Sequence, residues 1–214
     1  MIKIQKRPLP SDVVIKREKD YRSGPVFQML VADCHNKCYI CEDSLHTSPN
    51  VEHRISHKHA PALKYDWENL FLSCSHCNNI KGDKYDGMID PAQCDPEQVI
   101  ALSMGLDDEL REVVIVSKTG GDEAVDITVA LLNAVYNGTH TDMKKYACQQ
   151  LKNKISNELA WFQQKLDDYK NHPGDDTKAA VAGRISEDAL FAAFKRKRVR
   201  EDPQLAPVFG FGGR

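Results

Sequence analysis

The spacing of apolar and polar residues predicts mainly helices in the second half of the chain. Apolar side chains recur every three or four residues over 124–135, which is the period of an amphipathic helix, and Gly138 marks its end. The stretch 96–104 begins with Pro96 and shows similar spacing, so we expect a helix there as well. Between the two, residues 111–118 contain four consecutive β-branched side chains and predict a strand, followed by a Gly-Gly turn.

The longest predicted helix lies further along the chain. Thr141 or Asp142 can cap its start, and Pro173 ends it. A last short helix is expected over 186–194, with its first serine as N-cap, and a basic tail over 195–214 follows it. The apolar positions of the long helix are Met143, Tyr146, Ala147, Leu151, Ile155, Leu159, Phe162 and Leu166.

The first half of the chain is patterned less regularly. Residues 1–22 are basic and contain two prolines, which predicts an extended arm that leads into a short helix. Pro25 fits the first turn of a helix over 26–31. Residues 34–94 are rich in cysteine, histidine and turn residues, and 51–55 is a candidate strand. We therefore expect a small, irregular α+β core with helices on either side.

Composition and length are those of an ordinary globular protein. The chain has 214 residues, of which 41% are hydrophobic and 28% charged, and this excludes disorder for the bulk of the sequence. Its apolar runs are shorter than the roughly 18–20 residues that span a bilayer. Its first residues lack the apolar core of an export signal. We therefore expect a cytoplasmic protein with no membrane association.

The charges are segregated along the chain although they nearly cancel, with a formal net charge of -2. Residues 1–22 carry seven Lys and Arg against three Asp and Glu, whereas residues 93–140 carry two against nine. A run of five cations over 195–200 can hold phosphates by charge alone. A solvated tail is the alternative interpretation of that run.

Four of the seven cysteines form two pairs with the same spacing. Two intervening residues let both thiolates of a pair reach one tetrahedral metal ion, and two such pairs supply the closed four-sulfur site typical of structural zinc. A disulfide is the weaker explanation in a reducing compartment. Zinc would stabilise residues 38–77, which contain few large apolar side chains. The predicted zinc ligands are Cys38, Cys41, Cys74 and Cys77.

Three cysteines and one histidine near these pairs lie outside the predicted ligand set. Cys34 precedes the first pair by four residues and can compete as a ligand, and His76 lies inside the second pair. Free, buried thiols are the alternative interpretation of Cys34, Cys94 and Cys148.

A set of polar residues between and just after the cysteine pairs carries the most specific signal. In order, the chain reads Cys-x-x-Cys, Val-Glu-His, Trp-Glu-Asn-Leu and Cys-x-x-Cys-Asn-x-x-Lys-Gly. The polar positions are Glu52, His53, Asn69, Asn78 and Lys81. Over about residues 36–84 this pattern resembles the HNH endonuclease family, whose core is a β-hairpin and a helix around a catalytic metal (ββα-metal).

The resemblance implies a metal-dependent hydrolase of phosphodiester bonds. His53 is the expected general base, because imidazole titrates near neutral pH and can take a proton from water. Glu52 and Asn78 occupy the positions of the family's catalytic metal ligands, and a carboxylate with an amide oxygen suits Mg²⁺ or Mn²⁺. Asn69 would orient the catalytic loop through backbone hydrogen bonds, and Lys81 would contact a neighbouring phosphate.

The positions of the histidines in this region raise two further questions, the direction of the His53 side chain and the exposure of His57 and His59. Neighbouring side chains on a strand point to opposite faces, so Glu52 and His53 can share a site only if the strand bends or ends there. His57 and His59 are expected to be exposed loop residues, and contacts with metal or phosphate are the alternative.

Further residues extend the match beyond the generic core. They are Ile4-Gln5-Lys6 with Pro8, the stretch 65–74, and Ile89-Asp90-Pro91. Together they resemble the nuclease subunit of Septu-type anti-phage systems (PtuB-like), which also occurs in some retron defence cassettes. The resemblance implies a PtuA-like ATPase partner of the ABC/SMC type and, in a retron setting, a reverse transcriptase with its RNA–DNA product. The basic arm or the C-terminal helices would dock the ATPase.

The expected fold class is α+β, with a small zinc-stapled HNH core, a mainly helical N-terminal arm and a mainly helical C-terminal half. The expected segments are a basic arm and helix over 1–33, the nuclease core over 34–95, a helical region over 96–194 and a basic tail over 195–214. The substrate, DNA or RNA, stays open. The alternative to a nuclease is a non-catalytic zinc-knuckle subunit that binds nucleic acid or acts as an adaptor.

Overall fold

The computed structural model describes residues 1–45, 47, 49–105 and 112–211. Its fold is mixed α+β, as predicted, with two small antiparallel sheets among helices. The strands are β1 (Pro49–His53), β2 (Leu70–Cys74), β3 (Ile100–Ser103) and β4 (Val114–Ser117). The helices are α1 (Glu18–Arg22), α2 (Gly24–Asp33), α3 (Ser75–Lys81), α4 (Pro96–Val99), α5 (Glu123–Asn137), α6 (Asp142–Asn171), α7 (Asp175–Ile185) and α8 (Ala192–Glu201). Among these residues, no helix is long and apolar enough to cross a membrane.

The first sheet and the helix after it form a compact ββα unit. Strand β1 runs antiparallel to β2, with Val51 opposite Leu72. The candidate strand over 51–55 is confirmed in part, since β1 begins two residues earlier and ends at His53. Strand β2 is buried over most of its length and leads directly into α3, whose N-cap is Cys74. The hairpin therefore carries the predicted metal ligand Glu52 in β1 and the predicted zinc ligand Cys74 at the end of β2.

The expected helix over 96–104 is wrong beyond its first turn. Helix α4 covers only Pro96–Val99, and the chain continues as β3, which pairs with β4. Ile100 and Leu102 are buried while Ala101 and Ser103 are partly exposed, and this is the period of a strand. Four apolar residues fit both periods at this length, and the partner strand supplies the hydrogen bonds that decide between them. The predicted strand over 111–118 is confirmed as β4, Val114–Ser117, and residue 111 lies outside the described residues.

The two long helices of the second half are confirmed, with one correction to the apolar face of α6. Helix α5 ends at Asn137, and the Thr141 side chain caps α6 by accepting a hydrogen bond from the backbone N–H of Lys144 at 3.2 Å. However, the predicted apolar positions Met143 and Tyr146 are 85% and 68% exposed. The buried stripe of α6 therefore begins one turn later, and its members are Cys148, Leu151, Ile155, Leu159, Phe162 and Leu166.

The C-terminal prediction is wrong in two respects. Helix α7 was not expected, and Ser186 ends it instead of starting the last helix. The last helix, α8, covers 192–201 and so contains the cationic run that was expected in a tail. The mixed polar sequence of α7 and the five cations of α8 show no clear apolar stripe, which is why periodicity missed both helices.

The cations of α8 are bound inside the fold. Lys195 is fully buried and its ammonium lies 2.7 Å from a carboxylate oxygen of Glu158. Arg196 and Arg200 both bond the buried carboxylate of Glu97, at 2.8 and 2.7 Å. These three cations are therefore structural, and neither a solvated tail nor a free phosphate-binding run describes them.

One large core connects the first and last parts of the chain. It includes Ile2 and Ile4 from the N-terminal arm, both sheets, and Phe194 of α8. A second cluster packs Tyr21 of α1 against Trp67 and Leu70 of the ββα unit. The N-terminal helices thus lie beside the candidate site, while the division into four segments stays a prediction.

Candidate active site and zinc centre

The four paired cysteines converge on one point. One sulfur atom from each lies within 4.8 Å of the other three. The Sγ atoms of Cys41 and Cys74 are 3.9 Å apart, and a Zn–S distance of about 2.3 Å puts the edge of a tetrahedron near 3.8 Å. The predicted ligand set, Cys38, Cys41, Cys74 and Cys77, therefore has the spacing that zinc requires.

The thiol chemistry of the cluster also fits a cation. Contacts with the thiols of Cys38, Cys41 and Cys77 lower the pKa of Cys74, which is the most accessible of the four. Burial raises the pKa of Cys77, and hydrogen bonds with neighbouring thiols raise the pKa of Cys41. Ionisation of one thiol is therefore favoured, whereas burial and the negative charge of that thiolate disfavour ionisation of the other thiols. A divalent ion at the centre removes that opposition.

The remaining cysteines and His76 stay outside the cluster. Cys34 is buried, and this raises the pKa of its thiol to about 12. The thiol of Cys148 lies 3.2 Å from the Val135 carbonyl oxygen, and a ring nitrogen of His76 lies 2.9 Å from the same oxygen. The four-cysteine set is complete without them. This agrees with the interpretation of Cys34 and Cys148 as free, buried thiols, whereas Cys94 is free and only partly buried.

The end of β1 opens into a cleft of about 260 Å³ that contains most of the predicted catalytic residues. Glu52 and His53 both line it, because the strand ends at His53 and no longer alternates there. Asn78, at the first turns of α3, lines the same cleft. The structure thus brings a carboxylate, an imidazole and an amide together, and their catalytic roles stay predictions.

The family model described as HNH endonuclease matches residues 38–84, the span that contains both cysteine pairs and the cleft residues. Residues 38–84 are therefore similar to the HNH endonuclease domain. No curated protein and no solved structure matches the chain. An HNH domain implies metal-dependent nuclease activity on a nucleic acid.

Within the HNH domain, one backbone contact fixes the tautomer of His53. Its Nε2 lies 2.9 Å from the carbonyl oxygen of Lys64. A carbonyl oxygen only accepts hydrogen bonds, so Nε2 carries the proton and Nδ1 carries the lone pair. Burial lowers the pKa of His53, which keeps the imidazole neutral near pH 7. His53 therefore has a free basic nitrogen under the conditions in which a general base is needed.

Glu52 has one paired and one unpaired carboxylate oxygen. Its Oε1 lies 3.0 Å from the Lys81 ammonium, whereas its buried Oε2 has no hydrogen-bond partner among the residues that the structure describes. Burial raises the pKa of Glu52 to about 7 against the lowering effect of Lys81. A buried, unpartnered carboxylate oxygen on a residue of the cleft that Asn78 also lines fits a hard divalent cation. The donor set of the HNH domain is therefore suited to the metal that the domain type uses.

Lys81 is a support of the site and does not reach a phosphate. Its side chain is fully buried, and its ammonium donates to the carbonyl oxygens of His53 and Gly82 at 2.9 and 3.3 Å. It also contacts Glu52 and, at 3.4 Å, Asp86. The expected phosphate contact is wrong, because this lysine ties α3 to the end of β1.

Asn69 holds the loop that follows β1. Its side-chain oxygen accepts a hydrogen bond from the Ile55 N–H at 2.8 Å, and its amide donates to the carbonyl oxygens of Ile55 and Leu63 at 2.9 and 3.1 Å. Leu63 is adjacent to Lys64, whose carbonyl fixes His53. The loop contacts agree with the orienting role predicted for Asn69, although nothing places this side chain in the cleft.

The remaining histidines of this loop differ from each other. His57 lines the cleft with its ring 4.9 Å from that of His53, while His59 lies 2.8 Å from an oxygen of Asp86.

The other wall of the cleft comes from outside the HNH domain. Tyr21 packs edge-on against His53 at 5.7 Å, and Arg22 follows it. Sequence reasoning missed this wall, because no motif connects a short basic helix with a strand thirty residues away.

Proposed function

We propose that the chain is an endonuclease that hydrolyses phosphodiester bonds with Mg²⁺ or Mn²⁺, and that it contains a structural zinc site. The observation that carries the proposal is that three side chains line one cleft: Glu52, whose buried Oε2 has no partner among the described residues, His53, whose Nε2 is held by a backbone carbonyl, and Asn78. A non-catalytic zinc-knuckle subunit has no need for this combination.

His53 is the proposed base of the reaction. Its Nδ1 takes a proton from the attacking water, whose oxygen forms a bond to phosphorus as the bond to the departing sugar oxygen breaks. The imidazolium that results keeps its Nε2–H bond to the Lys64 carbonyl, and this bond strengthens as charge develops. Asn69 maintains the loop that presents this carbonyl. The positive charge is therefore stabilised by groups that are already in place.

Glu52 and Asn78 are the proposed ligands of the catalytic metal. The cation would polarise the phosphate and stabilise the leaving oxygen. Lys81 binds Glu52 through one oxygen and so leaves the other directed to the ligand role. The surrounding burial keeps competing water away from this carboxylate, which is 5% exposed.

We further propose that the protein acts in the cytoplasm as the nuclease subunit of an anti-phage defence complex with an ATPase partner. The support is the resemblance of the N-terminal opening and of the stretch 65–74 to Septu-type nucleases, including those of retrons. The chain places its N-terminal helices beside the cleft, so a partner bound to them would be close to the substrate.

The proposal is tested by cleavage assays on plasmid, single-stranded DNA and RNA, with the chain alone and with the products of neighbouring genes. Wild type should cut with Mg²⁺ or Mn²⁺, and Glu52→Gln should lose this activity while it retains zinc. The exposed Glu187→Gln is the matched control and should cut like wild type. If Glu52→Gln cuts as fast as wild type, the proposed metal site is wrong. If no preparation cuts any substrate, the non-catalytic alternative is correct.

A further inference from the structure

Two neighbouring depressions on the surface form one groove along β1. The first is the catalytic cleft, and the second has a volume of about 310 Å³. Both are lined by Arg22, Val51 and Asn78, so they meet at the proposed metal ligand. Strand β1 advances about 3.3 Å per residue, which puts its start about 13 Å from His53 along the strand. A chain of nucleotides that enters the cleft therefore has a path into the second depression.

The second depression has an aromatic wall. Phe27 of α2 lines it together with Pro49 and Asn50 at the start of β1. The Phe27 side chain is half-buried, and its packing against the main core fixes its position. A volume of this size is at the lower end of the range of about 300–1,000 Å³ that is usual for small-molecule sites. A single unstacked nucleotide is a ligand of matching shape and chemistry.

A cation stands where the two depressions join. The Arg22 side chain is 64% exposed, and its nearest acidic partner is Glu18 at 3.7 Å. Glu18 is shared with Lys64, which lies closer at 3.2 Å. The Arg22 guanidinium is therefore held near the groove by a weak, solvent-exposed pair that a phosphate can replace.

We propose that Arg22 and Phe27 form a nucleotide-binding subsite next to the point of cleavage, in which Arg22 binds a backbone phosphate and Phe27 stacks on the adjacent base. The inference rests on the proposed nuclease function and specifies its substrate as a single strand or an unpaired region. In a duplex the bases are stacked on each other, so their faces are closed to a side chain. The residues that select the substrate thus lie outside the HNH domain.

The test is a binding titration of the full chain with a short single-stranded oligonucleotide that contains 2-aminopurine, in a His53→Ala background that prevents cleavage. Stacking of the probe base on Phe27 should quench its fluorescence. Stacking on an aromatic side chain contributes about 1–3 kcal/mol per base, so Phe27→Ala should weaken binding by about ten-fold and abolish the quenching. Phe27→Trp should restore both.

Salt dependence separates the two roles. Arg22→Ala removes one phosphate contact and should reduce the slope of log K against log salt by about 0.7, whereas Phe27→Ala should leave the slope unchanged. Trp161→Ala and Lys145→Ala are the matched controls, an exposed aromatic residue and an exposed cation of α6, and should bind like the parent. A duplex of the same sequence should bind more weakly than the single strand.

The inference is overturned if Phe27→Ala binds and quenches like its parent, if the parent does not bind the single strand, or if the duplex binds as tightly. These outcomes do not depend on catalysis. Failure of the proposed function is recognised separately, by wild type that hydrolyses neither nucleic acid nor bis(p-nitrophenyl) phosphate with any divalent metal.

Discussion

Replacement of Lys81 by methionine tests how the site is supported. The Lys81 ammonium is fully buried and has four oxygen neighbours: the Glu52 and Asp86 carboxylates and two backbone carbonyls. Methionine keeps most of the volume and removes the charge. Glu52 then loses the cation that lowers its pKa, and its second oxygen already has no partner among the described residues. This buried acid must either keep an uncompensated charge or take up a proton.

The expected loss is large for a single substitution. Removal of one member of a buried ion pair costs about 3–5 kcal/mol, and each kcal/mol corresponds to about 2–4 °C in a chain of this length. We therefore expect the free energy of unfolding of Lys81→Met to fall by about 4 kcal/mol and its melting temperature by about 10 °C. Urea titration and thermal melts with saturating zinc measure both quantities.

A second substitution and a control make the result specific. Glu52→Gln in the Lys81→Met background should recover about 2 kcal/mol, because the buried amide needs neither a cation nor the uptake of a proton. Lys195→Met is the control, since that lysine is also fully buried but its partner Glu158 is 25% exposed and can be solvated. It should lose less stability than Lys81→Met. A loss below 1 kcal/mol for Lys81→Met, or no recovery in the double variant, refutes the supporting role of this lysine.

Three further predictions concern the zinc centre, the N-terminal arm and the last helix. Cys74→Ser should lose bound zinc, measured by elemental analysis, and should lose the cooperative thermal transition. An unchanged thermal melt would contradict the structural role of the metal. Burial lowers the pKa of Lys6 to about 8, so the folded chain releases this proton before the unfolded chain does, and stability rises as pH increases through 8 toward 10.5. From pH 7 to pH 9, the stability of wild type relative to Lys6→Met should increase by about 1.3 kcal/mol in urea titrations, and a constant difference would be inconsistent with the buried ammonium. Glu97→Gln should destabilise the chain by about 2–4 kcal/mol in the same titrations, since it leaves Arg196 and Arg200 without their shared carboxylate; a change within 0.5 kcal/mol would show that these pairs contribute little.

Spacing along the chain was sufficient to predict the four-cysteine cluster, and the resemblance to the HNH family predicted that Glu52, His53 and Asn78 lie together. Cys74 and Cys77 are set by one helical turn at the start of α3, and Asn78 follows them on the same turn. Helices α5 and α6 were also predictable, because their apolar stripes are long and regular. Local patterns of this kind leave few alternatives for the backbone.

The supports of the site could not be predicted in the same way. Lysine is usually a surface residue, and Lys81 is buried only because α3 packs against the end of β1. Tyr21 and Phe27 reach the groove because α1 and α2 pack against the ββα unit, and this packing has no signature in the spacing. Strand β3 was predicted as a helix for a related reason. A segment of four residues fits both the helical and the strand period, and only pairing with β4 decides between them.

The single-turnover rate of phosphodiester cleavage at saturating Mn²⁺, measured for wild type and His53→Ala with any co-purified protein present, is the most direct test of the proposed active site. A general base contributes about 10²–10⁴-fold to the rate, so we expect His53→Ala to lose activity by that factor with zinc content and melting temperature unchanged. The exposed His172→Ala should cut like wild type. Equal rates for His53→Ala and wild type would contradict the assignment of His53 as the base and, with it, the proposed active site.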